Sequence, residues 1–362
     1  MNELGEILLN DVDEPVRDPY LLPFSAFGLS PSLTTPPAPP VQPKDADKAL
    51  VNTALGTFRL NGWLCQEDQE YRSFVVSVKV RSQQRGVLST ENFRVYAENG
   101  VLYFDQLALD LPFSAIGGLP IMETLNEINQ RSVSSVFMLG TSGIAIRHAM
   151  IPRGKEDGYF SAAMLVQTLR QMYHDRRNGL SLLRQVMESR MLDPLFIARA
   201  FANPVLPTPA GGLTLEQAEN LANFAGFITI NDGRQLYLSR DKMPPDRCPV
   251  RVNCGSGMLR GHTVIGDVQN GKFSWKFMPS RLRSLIKTDS ASKIHERLNA
   301  LNLRHSPVRY VAARKSLVAM SMAFATDQDI TVEQFKQFAS ALLEHSENGA
   351  KAVPLTLTRR AG

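Results

Sequence analysis

Leu125-Asn126-Glu127-Ile128-Asn129-Gln130-Arg131 returns 173 residues later as Leu298-Asn299-Ala300-Leu301-Asn302-Leu303-Arg304, and this repeated phrase decides how the rest of the chain is read. The same offset carries Phe137 onto Tyr310 in the segment that follows. One step further on, the bulky residues Ile144, Ile146, His148 and Met150 match Val318, Met320, Met322 and Phe324 only at an offset of 174. Strand faces alternate with period two, so this predicts one extra residue in the second copy's turn.

Working outward, the patterns on either side of the two phrases run in parallel. Before the first come a short helix carrying Ala49, Leu50, Ala54, Leu55 and Phe58 and ending near Asn61-Gly62, then the alternating strand Phe74–Val80. Two further strands run from Phe93 to Leu109, broken by the turn Glu98-Asn99-Gly100. The stretch from Ser82 to Val95 has no clear period. After the phrase come a hairpin, 133–139 and 144–151 around Gly140-Thr141-Ser142-Gly143, and an amphipathic helix from about Glu156 to Tyr173 that Asn178-Gly179 is expected to end. Around the second copy, Thr214-Leu215-Glu216-Gln217 has capping-box form and opens a helix. Strands are expected at 227–230, 235–239, 250–253, 259–265 and 272–277, then a helix at 292–301, a hairpin over 308–325 and a helix at 332–343.

The expectation is therefore an α+β protein in which one unit, helix, three strands, helix, two strands, helix, is used twice, over residues 44–176 and 214–350. Residues 177–213 read as a helical linker containing the Pro- and Gly-rich stretch 203–212, and residues 351–362 as a basic tail. Residues 1–43 read as a disordered tail. It holds a proline-dense spacer at 36–43 and an apolar cluster, Tyr20, Leu21, Leu22, Phe24 and Phe27, suited to docking on this chain's own body or on a partner.

The element order, the Leu-Asn-x-x-Asn helix set before a hairpin, and the closing amphipathic helix resemble the YbjN-like bacterial sensory-transduction regulators and the fold they share with type III secretion chaperones. The resemblance covers roughly residues 46–173 and 214–346. It implies an antiparallel sheet with helices on one face, no catalytic residues and no cofactor. The chaperones are small acidic dimers that hold an extended segment of a client protein. This chain departs in being basic and in carrying both copies itself, which implies an intramolecular pseudo-dimer, with a homodimer as the alternative.

Composition points the same way. The 362 residues carry a net charge of +5, with 43% hydrophobic and 21% charged residues, an ordinary soluble composition. The charge is unevenly placed: one base against six acids in residues 1–43, 18 against 16 in 44–213, and 21 against 13 in 214–362. An acidic tail and a basic second copy are hidden in the mean. Three cysteines, Cys65, Cys248 and Cys254, supply no disulfide framework, and no apolar run approaches the roughly 20 residues needed to cross a bilayer. The acidic start leads into no apolar core, so the cytoplasm is the expected compartment.

A hydrolase or transferase with an unrecognised site is the enzymatic alternative, but no catalytic pattern stands out. A phosphate-cradling loop needs glycines followed by Lys and Ser or Thr at a helix start, and no such run exists; Gly140–Gly143 and Gly255-Ser256-Gly257 read as hairpin turns. Cys248, Cys254 and His262 are suitable zinc ligands by type, but their spacings of six and eight match no metal pattern, and Cys254 with His262 as base needs a lowered thiol pKa. His148, on a strand face with Ile144, Ile146 and Met150, reads as a core histidine. Glu156, Asp157, Asp327 and Asp329, ahead of the closing helices, suit helix N-termini. Arg281, Arg283, Lys287, Lys293 and Arg297 near Trp275 and Phe277 raise single-stranded nucleic acid as a second partner class, ranked behind protein. The candidate partner-binding residues are Tyr20, Leu21, Leu22, Phe24, Phe27, Trp275, Arg281 and Arg283. No metal, cofactor or membrane partner is expected.

Overall fold

Asp45–Leu60 forms the first helix, α1, because its apolar residues fall at Leu50, Ala54, Leu55 and Phe58, one stripe of a 3.6-residue period, and all four are buried. It ends in a turn at Gly62, where the amide of Trp63 returns to the carbonyl of Phe58 at 3.1 Å and the two rings pack 5.6 Å apart. The computed structural model describes residues 6–8, 45–68, 72–81, 88–110, 120–132, 134–154, 158–191, 193, 195–197, 213–242, 249–255, 258–269, 272–275, 291–304, 307–313, 316–324 and 330–352.

The first half comprises β1 (Glu6–Leu8), α1, β2 (Leu64–Asp68), β3 (Ser73–Arg81), β4 (Leu88–Glu98), β5 (Val101–Leu109), α2 (Ile121–Arg131), β6 (Val136–Gly140), β7 (Gly143–Met150) and α3 (Ala162–Ser189). The second half comprises α4 (Leu215–Phe224), β8 (Ile228–Asn231), β9 (Leu236–Ser239), β10 (Val250–Gly255), β11 (Met258–Gln269), β12 (Lys272–Trp275), α5 (Ala291–Asn302), β13 (Val308–Ala313), β14 (Ser316–Phe324) and α6 (Val332–Ala352). The sheets run β1-β3-β4-β5-β7-β6, with β2 also on β3, and β13-β14-β11-β10-β9-β8, with β12 also on β11. All pairings are antiparallel except β1 with β3. The α+β expectation holds. The first half has four strands ahead of its middle helix, β2 to β5, one more than the three expected; the second has β8 to β12 at the five stretches expected, two more than the three-strand repeat unit allows. β2 is a polar edge strand, Leu-Cys-Gln-Glu-Asp, with no alternation to read.

Read from opposite ends, the two sheets have the same order, and their registers agree in detail. The β6–β7 hairpin closes on Gly140 opposite Gly143, and the β13–β14 hairpin on Ala313 opposite Ser316, each with two residues between. The offset is thus 173 along both strands, which corrects the extra turn residue. Leu317, Ala319, Ser321 and Ala323 stand where Ile144, Ile146, His148 and Met150 stand in the first half. A bulge breaks the pairing between Leu107 and Leu109 opposite Ala145 and Ile144, and another between Val264 and Gly266 opposite Val318 and Leu317. One irregularity at one place in both copies is strong evidence that a single unit was used twice.

The core of each half lies between sheet and helices. Phe74, Val76, Val78, Phe93, Val95, Leu102 and Phe104 meet α1, α2 and α3 in the first. In the second, Leu236, Leu238, Val250, Val252 and Leu259 pack with Phe335, Phe338 and Leu342 of α6 and with α4. By the shared register Gly261 takes the place of Phe104, and a Cβ there would stand 2.7 Å from Phe338 Cζ and collide with Leu342. The second core fills that space from the helix rather than from the sheet. Gly261→Val should cost about 1–3 kcal/mol by overpacking; an unshifted urea midpoint would show that Phe338 and Leu342 yield freely.

Helix α3 runs unbroken through Asn178-Gly179, where an end was expected. Gly179 marks a close approach: a Cβ would lie 2.5 Å from Phe137 Cζ. Leu182, Leu183 and Val186 belong to the first core, so the boundary expected at residue 176 falls inside a helix of the first half. Glu156, Asp157, Asp327 and Asp329 lie outside the described residues. Hydroxyls supply the caps, Ser161 accepting from Met164 N and Thr331 from Gln334 N, both at 3.2 Å. Among the described residues no helix is long and apolar enough to cross a membrane.

Candidate functional site

Two places in the fold are arranged for more than local folding: the seam between the halves, built of polar side chains, and the edge of β3 that β1 and β2 share. The seam is built by the Leu-Asn-x-x-Asn phrase. Three residues apart on a helix, its two asparagines share one face. Asn129 grips its own half's outer strand, accepting from Phe137 N at 2.7 Å and donating to Phe137 O at 2.9 Å; Asn302 does the same to Tyr310 at 2.8 and 3.0 Å. The other pair crosses over. Asn126 accepts from Ala312 N at 2.8 Å and donates to Ala312 O at 3.1 Å, while Asn299 accepts from Leu139 N at 2.8 Å and donates to Leu139 O at 2.9 Å.

Residues 126 and 299, like 139 and 312, are related by the offset of 173, so the contact is reciprocal, as in an isologous dimer interface. β6 and β13 are the outermost strands of their sheets, and the four amides occupy edge groups that would otherwise recruit another strand. Asn299→Ala should cost about 1–3 kcal/mol, because it orphans both main-chain groups of Leu139. Asn299→Asp should cost more, since it sets a carboxylate oxygen against Leu139 O. Urea unfolding of the two variants tests this ordering.

Charged groups reinforce the seam. Arg147 on β7 makes a bidentate pair with Asp105, both contacts 2.8 Å, and donates to the carbonyls of Leu303 and Arg304 in the other half at 3.2 and 3.4 Å. Burial opposes the charge of Arg147, but Asp105 and the nearby tyrosines more than offset it, so its pKa lies above the ordinary value. Tyr96 donates to Asp105 at 2.9 Å and stacks on Tyr103. From the second half, Arg309 enters the 132–135 loop, donating to Ser132 O at 2.7 Å and Ser135 O at 2.9 Å. On the loop's other side Asp175 of α3 accepts from Ser134 N and Ser135 N at 3.1 and 2.9 Å. Desolvation pushes the pKa of Arg309 down to about 10, with Asp175 opposing the shift and Arg260 adding to it. His148 is buried beside this loop, its Nδ1 3.1 Å from Ser134 O.

The edge of β3 is shared end to end. β2 covers it from Ser73 to Ser77, and beyond that β1 pairs in parallel, Glu6 with Lys79, Ile7 with Val80 and Leu8 with Arg81. Three residues of the N-terminal tail, expected to be disordered, are therefore a strand on the first half, although the charge balance pointed to the second. Where β2 starts, Leu64 is 70% exposed, and Leu60, in the last turn of α1, is 89% exposed. At the other end of β2 an open cleft of about 350 Å³ lies between α1 and β3, lined by Val51, Leu55 and Phe74 and rimmed by Lys48, Asp68 and Arg72.

Of the sequence-predicted partner residues, Tyr20, Leu21, Leu22, Phe24, Phe27, Arg281 and Arg283 lie outside the described residues. Trp275 is the last residue of β12, opposite Gly266. Cys248 is also outside them. Cys254 and His262 do not come together: Cys254 faces Leu259 and His262 faces Arg251 in the β10–β11 ladder, three residues apart along β11 and therefore about 10 Å away on opposite faces. Burial pushes the Cys254 thiol up to about 11, the reverse of activation. No group of three or more His, Cys, Asp and Glu among the described residues could hold a metal ion.

Fold and seam together define an α+β protein of two reciprocally joined copies of one unit. Compared with protein-family models, with curated proteins and with solved structures, the chain matches none.

Proposed function

We propose that this chain is a non-enzymatic, chaperone-like adaptor, akin to the YbjN-like regulators and type III secretion chaperones, that holds an extended segment of a partner protein in the bacterial cytoplasm. The observation that carries the reading is β1. A strand from a distant part of the chain is added to the stretch of the β3 edge that β2 leaves uncovered, and strand addition is a general mode of peptide capture, in which main-chain hydrogen bonds supply affinity. The seam fits the same reading, because it fastens two units into one body while occupying the edges of β6 and β13, so that the opposite ends of the two sheets, where β1 and β2 lie on β3 and where β8 lies, stay outside it.

The test is binding of an array of extended peptides to the full chain and to the chain lacking residues 1–43, at low and high salt. Removing the tail should uncover the edge and raise binding. Binding that is equally weak with and without the tail at both salt concentrations would sink the reading.

A further inference from the structure

Building on the strand-addition reading, we infer that the partner segment is acidic and aliphatic, runs parallel to β3, and carries further aliphatic residues ahead of its strand; residues 6–8 hold its place in cis until it arrives. Four observations lead there. The register sets Glu6 opposite the exposed Lys79, and Ile7 opposite Val80, in the same period-two phase as the buried Val76 and Val78. An acid followed by aliphatic residues is therefore the pattern this edge accepts.

The second half lacks the site. Ile228 pairs with Ser239 as Leu64 pairs with Ser77, but β9 ends at Ser239, whereas β3 continues to Arg81. The overhang is a feature of one copy, outside the shared frame.

The tether sets what a partner must bring. Residues 9–44 join β1 to α1, and a strand tethered within the same chain is held at an effective concentration on the order of millimolar. A segment offering the same three residues and nothing else would lose to the tail. It needs contacts beyond those three residues, and the exposed Leu64 and Leu60 offer them. Leu64 pairs with Ser77, two residues or about 7 Å before Lys79, and both leucines stay bare while β1 is in place. A parallel segment with aliphatic residues N-terminal to its acid would cover them.

The experiment uses the full chain and a fluorescent peptide of residues 1–12, read by anisotropy. Ile7→Pro in the chain removes the cis strand and should tighten peptide binding at least about tenfold. In that background, Glu6→Lys in the peptide should weaken binding about two- to fivefold and be rescued by Lys79→Glu in the chain. A second peptide with Asn2→Leu and Glu3→Leu should bind about tenfold tighter than the first, a gain lost when the chain carries Leu60→Ser and Leu64→Ser. Equal affinity of the wild-type and Ile7→Pro chains would overturn cis occupancy. A scrambled peptide bound as well as the first would overturn the partner chemistry and leave the adaptor reading standing; failure of the Ile7→Pro chain to bind any extended peptide would overturn both.

Discussion

Arg309→Ala should lower the stability of the folded chain by about 3–5 kcal/mol, the cost of breaking a buried charge arrangement by removing one member. Arg309 is 6% exposed, and its guanidinium joins the halves through main-chain atoms: it holds Ser132 O and Ser135 O, while Asp175 holds the Ser134 and Ser135 amides on the other side of the same loop. Truncation strands two carbonyls and deprives the buried carboxylate of Asp175 of one of the cations that compensate it. Arg309→Lys should recover only part of the loss, because a single ammonium does not reproduce the guanidinium's planar fork across two carbonyls. Removing both charges, with Arg309→Met and Asp175→Asn, should cost less than the sum of the single changes, the signature of coupling. Urea unfolding followed separately in each half should show the two transitions of Arg309→Ala drawing apart. A loss below about 1 kcal/mol would place the seam's strength elsewhere.

That prediction could not have been drawn from the sequence, and the reason is physical. Arg309 and the four seam asparagines act on peptide groups, so their targets carry no side-chain signature. The Leu-Asn-x-x-Asn phrase was legible as a repeat while its role was not. The β14 register failed for a related reason: Met320 pairs with both His262 and Arg309, and Ser321 with Gly261. In a strand paired on both sides within its sheet, bulk no longer tells which face is core. The start of β4 was hidden because its inward phase carries Glu91, satisfied by Arg176 at 3.2 Å and Gln106 at 2.6 Å.

A second internal match surfaces only once the strands are paired. Phe58-Arg59-Leu60-Asn61-Gly62-Trp63-Leu64 and Ala222-Asn223-Phe224-Ala225-Gly226-Phe227-Ile228 share the same helix-ending turn, with Gly62 and Gly226 both at positive φ and Phe227 N returning to Ala222 O as Trp63 N does to Phe58 O. Only the glycine is common to both, too little to detect without the fold. The docked tail was legible as a tendency to dock but not as a place, since charge balance favours the second half and backbone register decides for the first.

Lowering the pH from 7 to 4 should remove roughly 3 kcal/mol of stability through His148 alone, at about 1.4 kcal/mol for each unit between its two pKa values. Burial pushes the imidazole down to about 4 from its ordinary 6.5. The groups that face it do not reverse this: the Ser134 carbonyl and Asp175 of α3 favour the cation, while Arg309 of β13 opposes it. The sign follows from which state takes the proton first. Between pH 6.5 and 4 the unfolded chain binds a proton that the folded chain refuses, so stability falls as the pH falls through this window. Below about 4 both states are protonated and the contribution levels off. Nδ1 lies 3.1 Å from an oxygen that can only accept, so the neutral tautomer with its proton on Nδ1 is the one the fold holds. His148→Asn keeps a donor near that position without titrating. It should be less stable than the wild type at pH 7 and approach it as the pH drops to 4. Stability curves that stay parallel across this window would show that His148 contributes nothing to the acid sensitivity of the fold.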